Sequence, residues 1–128
     1  MLESLKNRVR HALTAEQSAT LSTNGPAGIQ AGFFPCQADG LTLYLLLPVS
    51  SDVLYNLESA PAVVITTPGW QLEGLGHILP LTQAPKAIEL ARSPRAPGCV
   101  LVVVTCQRIH FNWSEGWGYR ETIDCNGG

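Results

Sequence analysis

The chain has 128 residues, of which 45% are hydrophobic and only 14% are charged, and its net charge is −2. This length is enough for one domain with its own core, so we expect a single domain over residues 1–128, with an N-terminal helix at 1–14 and a tail at 114–128. The eight basic residues are scattered along the chain, which excludes the basic stripe of a typical nucleic-acid-binding protein. Because typical proteins have about a quarter of their residues charged, we expect another subunit or a ligand to cover part of the surface.

Neither a membrane span nor a secretory signal is visible in the sequence. No apolar run approaches the ~18 residues that a membrane-spanning helix needs, and the N-terminus begins with a charged amphipathic segment. We therefore expect a cytoplasmic protein. The cysteines show neither a CxxC pair nor zinc-like spacing, and we expect them to be buried thiols. They are Cys36, Cys99, Cys106 and Cys125.

The first forty residues predict a helix followed by two strands. Apolar residues recur at three- and four-residue spacing over 1–14, which is typical of an amphipathic helix. Residues 17–23 predict a strand that a turn at 24–26 closes, and residues 27–37 predict a second strand. Gly28 and Gly32 interrupt the second strand, which indicates a bulge or a ligand close to the backbone.

The stretch 41–65 predicts a strand, a short helix and a second strand. The apolar run 41–47 ends at Pro48, which cannot donate a ladder hydrogen bond. Ser50 and Ser51 follow, and either hydroxyl can cap a helix by accepting from a backbone N–H two or three residues on. Residues 62–66 then predict a buried strand.

The second half of the chain predicts two longer strands. The fifth strand is expected over residues 70–81, with Gln71, Glu73 and His77 on one face. A third helix is expected to begin near Pro85, and a long strand to run over 99–113. Its first part is apolar on both faces, as in the centre of a sheet, and a last short strand is expected at 120–125. Six or seven strands with short turns favour a closed, mainly antiparallel barrel.

Three short motifs occur in the order that one known family has. They are D-G-L-x-L-Y from Asp39, S-x-x-x-x-N-L from Ser51, and W-Q-x-x-G-x-G from Trp70. With the order of the elements, they resemble the pyridoxamine 5′-phosphate oxidase-like FMN-binding split barrels, over roughly residues 19–123. The resemblance implies a six- to seven-stranded antiparallel split β-barrel with two or three short helices. It also implies a homodimer with FMN in two clefts between the subunits.

The resemblance also implies roles for five residues. Ser51, with Ser50 beside it, matches the serine that helps to hold the flavin phosphate at the head of the short helix, where free N–H groups favour an anion. Gln71 matches a glutamine that reaches the flavin ring. Trp113 and Arg120 lie where the family brings an aromatic residue and an arginine across from the partner chain. No residue is implied as an essential acid or base, because the chemistry would be that of the flavin.

The sequence departs from the family at positions that usually hold the phosphate. Val53 stands where a lysine is usual, and the stretch 29–35 contains no arginine or lysine. Leu46 and Leu47 replace a usual threonine or serine near the end of the third strand. Two hypotheses therefore remain open. One is a flavin-dependent oxidoreductase acting on a small molecule, and the other is a non-catalytic split-barrel dimer that binds another flat ligand (haem or a deazaflavin) or none.

Simpler interpretations of the same residues also remain open. Helix capping is the simpler explanation of Ser50 and Ser51, and phosphate binding is the alternative. Gln71, Glu73 and His77 share one strand face, on which alternate positions are about 7 Å apart. They predict either an acid–base or metal set, in which a metal would need further ligands from elsewhere, or a solvated face. The sequence does not determine the substrate or the electron donor.

Overall fold

The computed structural model describes residues 2–112 and 119–125. These contain two helices, α1 (Glu3–Thr14) and α2 (Asp52–Leu57). They contain seven strands, β1 (Ser18–Gly25), β2 (Gly28–Asp39), β3 (Thr42–Pro48), β4 (Ala62–Thr66), β5 (Trp70–Leu79), β6 (Cys99–Asn112) and β7 (Tyr119–Asp124). Two 3₁₀ turns, Leu81–Gln83 and Glu89–Arg92, lie between β5 and β6. Within the described ranges, no helix is long and apolar enough to cross a membrane.

The strands form a closed antiparallel barrel with one additional strand. The order in the sheet is β3-β2-β1-β4-β5-β6-β7, and a further pairing between β3 and β6 closes a six-stranded barrel. The long strand β6 pairs with β5 on one side. On its other side, the first part of β6 pairs with β3, and the last part pairs with β7. The mainly antiparallel barrel that the sequence predicts is therefore confirmed.

Alternation along the strands fills the barrel interior with branched aliphatic side chains. Several of these side chains have no exposed surface, and five different strands contribute to them, for example through Leu21, Leu45, Ile65, Leu72 and Ile109. Helix α1 adds Val9 and Leu13 to the same core, and α2 adds residues from its inner face. Burying each such side chain contributes roughly 1.5–3 kcal/mol, so the interior is the main source of stability.

A second apolar cluster covers the outer face of β3 and β6. Its buried members are Tyr44, Leu46, Ile88, Ala96, Leu101 and Val103. The segment between β5 and β6 supplies Ile88, which has no exposed surface. Gln37 fastens this segment, because its amide donates to the Ala87 carbonyl at 2.7 Å and accepts from the Leu90 N–H at 3.0 Å.

The prediction of a third helix beginning near Pro85 is wrong, because the segment does not form an α-helix. The segment makes only two 3₁₀ turns, with irregular chain between them. Four prolines lie between β5 and β6, and each removes a backbone donor and restricts the residue before it. The buried side chain of Ile88 holds the segment against β3 and β6, and this packing does not require a helix.

Two further expectations need correction. The register between β1 and β2 is continuous through Gly32, so this glycine marks no bulge. An added Cβ at Gly32 would lie 2.4 Å from the Phe34 ring, so the ring explains the missing side chain. The cysteines are not all thiols, because a disulfide joins Cys106 to Cys125 with their Cα atoms 5.9 Å apart. Cys36 is a buried free thiol as expected, and burial, with a smaller contribution from the charge of Glu16, raises its pKa to about 11.

Candidate functional site

The head of α2 is built by a serine cap. The Ser51 hydroxyl accepts from the Val53 N–H at 3.3 Å, so this side chain already serves the helix. Ser50 is exposed one residue earlier. Val53 is only 2% exposed and belongs to the barrel core. A lysine at position 53 would therefore point into the interior and would not face a phosphate at the helix head.

Asn56 fixes α2 against the β1–β2 hairpin. Its side chain has no exposed surface. The Asn56 amide oxygen accepts from the Ala27 N–H at 2.8 Å. Its NH₂ group donates to the Thr23 hydroxyl at 3.0 Å and to the Gly28 carbonyl at 2.9 Å. The sequence motif around Ser51 contains Asn56, but the spacing alone gave no indication that it holds the helix to the barrel.

Gln71 lies on the outer face of the sheet in a row of polar residues. It pairs with Thr66 of β4 on one side and with His110 of β6 on the other. Thr122 of β7 pairs with His110 and continues the row. Gln71 is half-buried, so its amide can donate to and accept from a ligand placed on this face.

Glu73 and His110 contact each other on this face through their polar side-chain atoms. The imidazole Nε2 of His110 contacts the Glu73 carboxylate, and Nδ1 lies 2.8 Å from the Thr122 hydroxyl. His77 is exposed on β5. Within residues 2–112 and 119–125, no three His, Cys, Asp or Glu side chains are placed to share a metal ion. If Glu73 takes part in acid–base chemistry, its partner is therefore His110. The sequence pattern had grouped Glu73 with Gln71 and His77 instead.

A cavity of about 400 Å³ adjoins this polar row. Ten residues line it: Ser22, Thr23, Asn24, Ile29, Ala62, Val63, Val64, Glu73, Gly74 and Gln107. The lining combines an apolar floor with hydroxyl, amide and carboxylate groups, as in many small-molecule sites. Ile29 of β2, which lines this cavity, is 80% exposed, and Phe33, four residues further along the same strand, is 73% exposed.

The five sequence-predicted site residues are not all brought together within one chain. Ser50 and Ser51 follow β3, whose last residue pairs with Cys99 at the start of β6. Gln71 pairs with β6 near its other end. Arg120 lies in β7, where the register with β6 shifts. Trp113 lies outside the described residues.

This chain is similar in structure to several proteins whose structures have been solved. No family model and no curated protein matches the chain. General stress protein 26 from Bacillus anthracis is 18% identical, with a TM-score of 0.68 over 94% of this chain and 98% of that chain. A protein from Clostridium acetobutylicum, described as related to general stress protein 26 of B. subtilis and as of the pyridoxinephosphate oxidase family, is 14% identical, with a TM-score of 0.68 over 98% of both chains. The chain has the pyridoxamine 5′-phosphate oxidase-like split-barrel fold.

A third split barrel with the same architecture is described as an F420 reductase. It is 18% identical, with a TM-score of 0.59 over 77% of this chain and 94% of that chain. At these identities the likeness establishes the split-barrel fold and leaves ligand and activity to be argued from the residues. The resemblance inferred from the three sequence motifs is thus confirmed at the level of fold.

Proposed function

We propose that this split barrel is a homodimer that binds FMN between its subunits and acts as an oxidoreductase on a small molecule. The observation that supports it best is the half-buried amide of Gln71 on an outward sheet face of this fold. An amide that both donates and accepts suits the amide edge of a flavin ring. When bound, the flavin would supply hydride or electron transfer, and the protein would supply position and electrostatics.

The partner in this proposal is a second copy of the chain. The exposed residues of β2, among them Ile29 and Phe33, form an apolar strip next to the cavity. Covering such a strip is the usual reason for large exposed side chains on a low-charge surface. An obligate interface buries more than about 2,000 Å² in total. Sedimentation that shows a monomer at micromolar concentration would contradict the dimer. Phe33→Asp places a charge in the apolar strip and is expected to dissociate the dimer.

The phosphate end of FMN fits this chain less well than its ring. The Ser51 hydroxyl accepts from a backbone N–H and still has its own proton to donate, but Val53 is buried. The exposed strip of β2 contributes no cation. A phosphate normally draws on charge-assisted hydrogen bonds of about 1.5–3 kcal/mol each. Any such cation would have to come from elsewhere, and Arg120 of the second subunit is the candidate.

The second candidate is a ligand with a related ring, and a likeness of structure supports it. A split barrel of similar structure is described as an F420 reductase, and F420 is a deazaflavin. We therefore keep a deazaflavin as the alternative to FMN. Haem remains the other flat ligand to be tested.

The absorbance spectrum of protein purified without added cofactor is the first test. Flavin bands, with FMN released on denaturation, are the expected result. Titration with FMN, a deazaflavin and haem then ranks the three ligands by dissociation constant. Colourless protein with no affinity for micromolar FMN would refute the flavin proposal, and saturable binding of one of the others would replace it.

Gln71→Ala and Arg120→Ala test whether the two residues contact the ligand. Each change should weaken binding by about 1–3 kcal/mol if the side chain bonds the ligand. The melting temperature without ligand should hardly change, because surface substitutions usually stay within ~0.5 kcal/mol. A fall in melting temperature with unchanged affinity would remove that residue from the proposed site.

A further inference from the structure

Three polar side chains on the outer sheet face form a continuous hydrogen-bonded chain. Glu73 of β5 contacts Nε2 of His110 on β6. The other ring nitrogen of His110, Nδ1, lies 2.8 Å from the hydroxyl of Thr122 on β7. The order is carboxylate, imidazole, hydroxyl. We propose that Glu73, His110 and Thr122 form a nucleophilic site that takes the acyl group of an activated ester and releases it to water.

The polarity of this chain is the one that nucleophilic catalysis requires. An ionised carboxylate only accepts hydrogen bonds, so Nε2 of His110 carries the proton that faces Glu73. In the neutral ring Nδ1 is then the acceptor, and it accepts from the Thr122 hydroxyl. A base within hydrogen-bond reach of a hydroxyl, itself oriented by a third group, is the general signature of an activated nucleophile.

The backbone register explains how the three groups meet. Thr122 lies directly opposite His110 in the β6–β7 pair. Glu73 lies directly opposite Arg108, and its carboxylate reaches the diagonal neighbour His110 instead. Diagonal neighbours about 7–8 Å apart are within reach of a long side chain. A register shift follows immediately, between Glu73 and Gly74, and such bulges re-aim side chains.

The exposure of the three side chains matches their proposed roles. The His110 side chain is 12% exposed and the Glu73 side chain 41% exposed, so His110, the proposed base, is less accessible to water than Glu73. Thr122 is exposed, which leaves its hydroxyl accessible to a substrate from solvent. This proposal does not depend on a flavin.

A small cavity lies beside Glu73, at one end of the triad. Its volume is about 230 Å³, and it is lined by Glu73, Gln107, Arg108 and Asp124. Arg108 lies two residues before His110 on the same strand face, about 7 Å along β6. Its permanent positive charge is suited to a developing oxyanion, although Asp124 lines the same cavity. A short acyl group such as acetyl is the least hindered at the Thr122 hydroxyl.

The proposed reaction has two balanced steps. The Thr122 oxygen attacks the ester carbonyl while Nδ1 of His110 takes the hydroxyl proton, and the alcohol leaves with that proton. The product of this step is an ester on Thr122. Water then attacks this ester with His110 again as the base, which returns Thr122 and releases the carboxylic acid. No oxidant, reductant or metal ion enters either step.

The test uses 4-nitrophenyl acetate with the full-length protein. The expected result is release of 4-nitrophenolate with acetylation of Thr122, located by peptide mass spectrometry. Thr122→Val should abolish this acetylation, and His110→Gln should slow it by about a hundredfold, the usual contribution of a general base. Thr122→Ser keeps the hydroxyl and should retain the reaction, which guards against loss through misfolding.

Two matched controls separate the triad from ordinary surface chemistry. Thr66→Val removes an exposed threonine from the same sheet face, and His77→Gln removes an exposed imidazole. Both variants should acetylate Thr122 at the wild-type rate. Wild-type protein without acetyl on Thr122, or with a rate that His110→Gln leaves unchanged, would overturn the proposal. The three side chains would then only fasten β7 to the barrel, and Thr122→Val would lower the melting temperature alone.

Discussion

Replacing Asn56 with alanine should strongly destabilise the barrel. The change removes the three hydrogen bonds that this side chain makes to Thr23, Ala27 and Gly28. A net hydrogen bond contributes about 1 kcal/mol, and a buried backbone group left without a partner costs about 1–3 kcal/mol. Two backbone groups lose their partner here, so we expect a loss of about 3–5 kcal/mol. That is a large part of the 5–15 kcal/mol typical of a whole domain.

Urea and thermal unfolding followed by circular dichroism would measure this loss. We expect a melting temperature lower by roughly 10–20 °C for a chain of this size. Asn56→Asp keeps the acceptor for Ala27 but removes the donor to Gly28 and buries a charge, so it should be at least as harmful. Asn24→Ala, at an exposed asparagine of the same hairpin, is the control. A loss below about 1 kcal/mol for Asn56→Ala would show that the network does not hold α2.

Three further changes test the interior. Val53→Lys should cost several kcal/mol, because it forces an ammonium into the barrel core; an unchanged urea midpoint would disprove the inward orientation of this position. Gly74→Ala should destabilise the β5–β6 pair, because its Cβ would lie 2.5 Å from the Thr105 carbonyl oxygen; Gly69→Ala, where no atom lies within 4 Å, should be neutral and serves as its control in thermal melts. The raised pKa of Cys36, about 11 against an ordinary 9.0, means that the folded state favours the neutral thiol. The stabilisation, about 3 kcal/mol, should be complete below pH 9 and disappear as the pH rises to 11. Cys36→Ala should remove this part of the alkaline loss when unfolding is measured across that range.

Most of the barrel could be predicted because its strands are locally marked. Alternating side chains and turn residues set the limits of β1 to β5 and of β6 to within a few residues. Proline and serine after β3 likewise marked the start of α2. These signals are local, and the sequence contains them in full.

What the sequence could not predict depends on pairs distant in the chain. The Cys106–Cys125 disulfide forms because β7 folds back along β6, and cysteine spacing alone does not reveal that register. The contact from Glu73 to His110 is diagonal and lies next to a register shift. Burial of Val53 follows from how α2 packs on the barrel, so position 53 could be aligned with the family's lysine and still face inward.

Closure of the barrel by β3 and β6 has a consequence for how the chain folds. The two strands that close it are separated by roughly half the chain, so closure is among the most non-local contacts in the molecule. Non-local pairing makes folding slow, because the entropy of a long loop is lost before any contact compensates. Until β6 has been synthesised, one edge of β3, with its run of leucines, has no partner strand. An unpaired apolar edge is a template for aggregation. A nascent chain that ends before Cys99 is therefore the form of this protein most in need of a chaperone.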